Sequence, residues 1–133
     1  MNPELFFTAF VSLLTVFLVY AQSIYVGAAR RKYKIVPPHT TGNLDFERVF
    51  RVHYNTLEQL PIFLIPLWIF ALTVSSYWAG WLGIVWLVGR ISYMYGYYKT
   101  AKTRHNALSA ISYLAGTILI VGSLISIISG LIG

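Results

Sequence analysis

Four predominantly apolar stretches, at about 5–29, 47–73, 77–98 and 107–131, run through the chain, separated by short segments of charged or turn-forming residues. Each reaches the roughly 20 residues that an α-helix, rising about 1.5 Å per residue, needs to cross a hydrocarbon core about 30 Å thick. The pattern predicts an all-α fold, an integral membrane four-helix bundle. Four such helices use up nearly all of the 133 residues, so the chain reads as a single domain. The one polar segment of any length, Arg30 to Asp45, holds Pro37, Pro38, Thr40, Thr41, Gly42 and Asn43, residues that favour turns. Asp45 is expected to cap the second helix.

The second helix interrupts its apolar character with Arg51, Asn55 and Glu58. At about 100° per residue these three fall within about 60° of arc on one face, whereas His53 lies about 200° from Arg51. A charged group at membrane depth costs a few kcal/mol or more unless paired or facing a polar cavity, so the stripe needs a partner. The third helix offers one: if it stays helical through its charged end, Arg90, Tyr93, Tyr97 and Arg104 also fall within about 60°. Arg90, the deepest cation, is expected to neutralise Glu58 in a buried pair. His53 keeps two readings, an interhelical hydrogen bond or contact with a neighbouring chain. Pro61 and Pro66 are expected to bend the second helix. In the first helix the polar Gln22, Ser23 and Tyr25 come late, near the cationic end. In the fourth, Gly122, Ser126 and Gly130 recur at the spacing that lets backbones approach closely, and no chemistry is expected there.

Composition agrees: 57% of residues are hydrophobic and 11% charged, far from the roughly 25% charged of soluble domains. The net charge of +6 does not imply nucleic acid, because of where the cations lie. All ten Lys and Arg fall between Arg30 and Arg104, eight of them around the first and third connections, while the second connection and both termini have none. This is the positive-inside pattern, which puts the two basic connections in the cytosol and the termini opposite, with anionic lipid contact secondary. Trp78 and Trp81 at the uncharged turn suit an interfacial belt. The first segment lacks a basic leader and a cleavage site, and reads as a retained helix. Cysteine is absent, so any thiol must come with a substrate. No metal is expected: His39, His53 and His105 lack ligand spacing. Nor is there a phosphate-cradling glycine loop, and four carboxylates leave little for paired acid–base catalysis.

Several cations, one carboxylate, an amide and two phenols near the cytosolic end of a bundle suit a small zwitterionic ligand with more than one carboxylate. Guanidinium groups bind carboxylates bidentately and Glu58 could hold an ammonium. The segments ARRKYKIVPPHTTG, FERVFRVHYNTLEQLPIFL and LGIVWLVGRISYMYGYYKTAKTR resemble the MAPEG family, the membrane-associated proteins of eicosanoid and glutathione metabolism, and most of all its leukotriene C4 synthase and microsomal glutathione transferase members.

The resemblance covers about Arg30 to Arg104 and implies a homotrimer of four-helix subunits with glutathione, a co-substrate, bound at subunit interfaces on the cytosolic side. It implies that Arg51, Asn55, Glu58, Tyr93 and Tyr97 of one subunit contact glutathione, with Arg30 and His53 approaching from the neighbour. Ser23, seven residues before Arg30, is a weaker candidate. Arg104 matches the arginine that activates the thiol, and Arg31 one discussed for leaving-group or substrate contacts. Two positions depart from the leukotriene synthases: His53 replaces a glutamine and Gln59 a tyrosine near the ligand. The implied activity is a membrane-bound glutathione S-transferase, with glutathione peroxidase activity as an option, acting on lipophilic electrophiles or lipid hydroperoxides from the bilayer. The location would be a bacterial inner membrane or the endoplasmic reticulum. The alternative is a non-catalytic lipid-binding scaffold of the same family; a small transporter fits poorly, since inverted repeats are not evident.

Overall fold

The computed structural model describes residues 2–133, and local capping chemistry sets where each helix begins and ends. Helix α1 spans Leu5–Tyr33, α2 Leu44–Thr73, α3 Ser76–Lys99 and α4 Ala107–Ile132, with a short 3₁₀ turn at Ala101–Arg104. Helix α1 runs about one turn beyond its apolar stretch, carrying Arg30, Arg31 and Lys32 in its last turn, where cations complement the helix dipole. It stops at Lys34, whose left-handed φ of 56° ends the helical path.

The cap of α2 is Asn43, not Asp45. The Asn43 carboxamide oxygen accepts from the backbone N–H groups of Asp45 and Phe46 at 2.9 and 3.0 Å, which is what an extended residue with a short acceptor does for orphan donors. Asp45 sits inside the first turn instead and pairs with Arg48. Ser75 caps α3. Asn106 caps α4 through a reciprocal pair of bonds with Ser109.

Helices α2 and α3 each pack against both α1 and α4, so they form the middle of the bundle. The core lies toward the uncharged end, with Phe63, Leu67 and Phe70 of α2, Ala79 and Trp86 of α3 and Ala115 and Leu119 of α4. Phe63 and Trp86 stack at 4.0 Å between centroids. At the α2–α3 turn, Tyr77, Trp78 and Trp81 form an exposed edge-to-face cluster, the chemistry of a membrane interface.

Helix α2 remains continuous through Pro61 and Pro66. The Pro66 carbonyl accepts from Ser123 at 3.0 Å, and that of Thr73 from Ser126 at 3.2 Å, so α4 supplies polar contacts to α2. Gly122 lies under the Phe70 ring, whereas Gly130 has nothing within 4 Å, so the small-residue spacing serves packing within the chain only in part. Three helices, α1, α2 and α4, are long and apolar enough to cross a membrane. Helix α3 has the length but also Arg90 and a high share of Trp, Tyr and Gly.

The α3–α4 approach is closest at Gly89, where a Cβ would stand 2.6 Å from the Leu108 carbonyl oxygen and 2.3 Å from Ser112 Cβ. Because one obstacle is backbone, Gly89→Ala must part the helices. It is expected to destabilise the protein by about 1–3 kcal/mol, read as a lowered thermal midpoint in detergent.

Candidate functional site

The polar stripes meet where the first half of α2 faces the last half of α3. The Asn55 amide donates to the Tyr93 hydroxyl at 2.7 Å, fixing the phenol across the helix pair. Tyr93 is 3% exposed, and Tyr97 stands beside it with ring centroids 5.6 Å apart.

Arg90 does not pair with Glu58. Its Nη2 donates to Thr56 Oγ1 at 2.9 Å, and that hydroxyl donates in turn to the Val52 carbonyl at 2.8 Å. The guanidinium lies 4.3 Å from the Tyr93 ring centroid and 5.9 Å from that of Trp86. The reason is angular: Thr56 and Glu58 are about 200° apart on α2, and Thr56 is buried beside Arg90 whereas Glu58 is exposed on the cavity wall. Among the described residues the one ion pair is Arg48–Asp45. Arg90 is 2% exposed, with the Tyr113 hydroxyl beside its guanidinium and its Nε without a hydrogen-bond partner among the described residues.

Arg104 reaches the same region by a different path from the one its periodicity predicts. Helix α3 ends at Lys99, Thr100 is extended, and the chain folds back as the 3₁₀ turn. The Thr103 hydroxyl donates to the Gly96 carbonyl at 2.6 Å and to that of Thr100 at 3.1 Å, pinning the turn against α3. Arg104 then donates from Nε to His105 Nε2 at 3.1 Å and from Nη1 to the Ala101 carbonyl at 2.5 Å. Its guanidinium carbon lies 5.8 Å from the Tyr97 ring centroid, so the stripe is completed despite the break.

A cavity of about 240 Å³ joins these groups, lined by Asn55, Glu58, Gln59, Arg90, Tyr93, Arg104, His105 and Tyr113. Two cations and one carboxylate make it an anion-favouring site with one place for a cation. His105 and Tyr113 went unassigned in the sequence, and Tyr113 brings α4, where no chemistry was expected, to the wall of this cavity. Its signal was position: it follows Ser109 and Ser112 in the same end of α4 that abuts the basic turn.

The other sequence candidates lie outside this cavity. Arg51 is exposed on its face of α2. Arg30 packs over Phe46 and Phe50 at 5.0 and 5.9 Å and donates to the His39 carbonyl at 2.6 Å, binding the first connection to α2. Arg31 is exposed one residue on, and Ser23 is exposed and donates to the Tyr20 carbonyl. His53 is half-buried on a different face of α2, its Nδ1 buried without a partner among the described residues. No cluster of His or acidic side chains that could hold a metal occurs among the described residues.

The sequence model of the MAPEG family matches residues 8–128. The chain belongs to the MAPEG family. An uncharacterised protein of Synechocystis is 50% identical over 127 residues, 96% of this chain and 92% of that one. Human microsomal glutathione S-transferase 2 is 45% identical over 82 residues, 62% of this chain and 56% of the relative. Bovine leukotriene C4 synthase is 38% identical over 104 residues, 78% of this chain and 69% of the relative. With its apolar helices, this MAPEG chain is an integral membrane protein.

In this MAPEG chain the approach of the Arg104 turn depends on Gly96, where a Cβ would meet the Thr103 carbonyl oxygen at 2.3 Å. Gly96→Ala is expected to lift the turn off α3. Amide exchange at Thr103, which bonds the Thr100 carbonyl at 3.1 Å, should then speed up at least about tenfold while α4 amides keep their protection.

Proposed function

We propose that the chain is a membrane-bound glutathione transferase in which Arg104 activates the thiol of glutathione for attack on lipophilic electrophiles. The observation that carries the reading is the convergence of Arg104, Asn55, Glu58 and Tyr93 on one cavity at the basic end of the bundle. Two relatives named for glutathione transfer and leukotriene C4 synthesis support it. A cysteine thiol titrates at about 8.5 in water, and a nearby guanidinium favours the thiolate, raising the reactive fraction at neutral pH. Arg104 is suited to this: Nε and Nη1 are committed to His105 and Ala101, leaving Nη2 without a partner among the described residues. In the same reading Glu58 takes the ammonium of glutathione and guanidinium groups its carboxylates.

The cavity is small against the roughly 300–1,000 Å³ of typical ligand sites, which fits a site completed by a second chain. The proposal therefore includes a homotrimer, with Arg30 and His53 reaching a neighbour's glutathione and Arg51 and Tyr97 extending the wall. It also includes Arg31 near the leaving group, a cytosolic mouth at the basic connections, and reduction of lipid hydroperoxides as a second outcome of the same thiolate.

Arg104→Ala should still bind glutathione in calorimetry yet lose about 100-fold or more in turnover of a lipophilic electrophile, the usual loss when one donor to a developing charge is removed. Unchanged turnover refutes the role given to Arg104. Absence of saturable glutathione binding to the unaltered protein would make the chain a lipid-binding scaffold instead. Glu58→Gln should weaken glutathione binding about tenfold while leaving thiol-free lipid binding intact, measured in the same calorimeter.

A further inference from the structure

A second cavity of about 280 Å³ opens between α2, α3 and α4, lined by Gln59, Ile62, Phe63, Trp86, Ser112, Tyr113, Gly116, Thr117 and Ile120. Its character is apolar where the Arg104 cavity is polar. Gln59 and Tyr113 line both. Tyr113 is 47% exposed, and its hydroxyl lies beside the Arg90 guanidinium, which can only donate to it, so its own proton is uncommitted at the boundary between an apolar cleft and a polar site.

Other donors on the polar side are less suited to give up a proton. Arg90 and Arg104 are permanently protonated guanidinium groups. The Tyr93 phenol is buried and already accepts from Asn55. His105 accepts from Arg104 through Nε2 and lines only the polar cavity. Glu58 is an acceptor when ionised.

We propose that Tyr113 is a catalytic residue, the general acid that protonates the oxygen released when the thiolate opens a lipophilic epoxide whose hydrocarbon body lies in the apolar cleft. This rests on the glutathione reading above. The thiol first loses its proton to solvent. The thiolate sulfur then forms a bond to an epoxide carbon as that carbon's bond to oxygen breaks, and the electron pair stays on oxygen. The Tyr113 O–H proton passes to this alkoxide, giving a hydroxy thioether, and the tyrosinate recovers a proton from water. Substrates whose leaving atom departs as a stable anion do not need the proton.

The test is Tyr113→Phe in the full-length protein, which keeps the ring and its packing. Styrene oxide and chlorodinitrobenzene serve as paired electrophiles, since chloride leaves unprotonated. The ratio of kcat/KM for the epoxide to that for the aryl chloride should fall about 100-fold, the lower range for positioned acid catalysis. The fall should lie in kcat for the epoxide. An unchanged ratio overturns the proposal, whether both activities persist or both fall together. The ultraviolet absorbance of the bound glutathione thiolate is followed in parallel. Its presence in Tyr113→Phe with an unchanged ratio defeats only the role of Tyr113, whereas its absence from the unaltered protein defeats the glutathione reading itself.

Discussion

Arg90 is a guanidinium almost entirely enclosed by apolar helices, and the lipid-embedded bundle must keep it satisfied without water. It does so with one hydroxyl and two aromatic faces. Thr56 turns its oxygen toward Arg90 because its own proton goes to the Val52 carbonyl, and Tyr93 and Trp86 offer the negative faces of their rings. Tyr93, fixed in this way from one side, is fixed from the other by Asn55. The α2–α3 register and the wall of the polar cavity thus rest on one buried charge.

That arrangement leaves Glu58 unpaired among the described residues and facing the cavity with Arg104. Had Arg90 taken Glu58, as charge alone suggested, the site would have neutralised its only carboxylate internally. The choice of a neutral partner for the buried cation is therefore what leaves that carboxylate exposed on the cavity wall. Small residues do the complementary work: Gly89 admits α4, and Gly96 admits the turn that carries Arg104. The basic end of the bundle is built where side chains are missing as much as where they are present.

Two environments meet there. The polar cavity and the apolar cleft share the Gln59 and Tyr113 positions, and under the proposed function this seam is where a water-soluble thiol meets a membrane-borne electrophile. MAPEG membership and the chain's apolar helices put that seam in a membrane protein.

The number, order and approximate limits of the helices, and the single polar face holding Arg51, Asn55 and Glu58, were legible because apolar length and helical periodicity are local properties of the chain. Asn43 displaced Asp45 as cap because the loop's extended conformation at residue 43 decides which short side chain reaches the first N–H groups. Arg90's partner, the folded-back turn that delivers Arg104, and the entry of His105 and Tyr113 were decided only in three dimensions. Each depends on which faces of separate helices come together, and on hydroxyl and carbonyl groups whose spacing along the sequence carries no period. The sequence by itself determined a membrane bundle with a polar stripe. Packing decided that the stripe's buried cation is held by threonine and aromatic rings, and so left Glu58 unpaired among the described residues, in a polar cavity that shares Gln59 and Tyr113 with an apolar cleft.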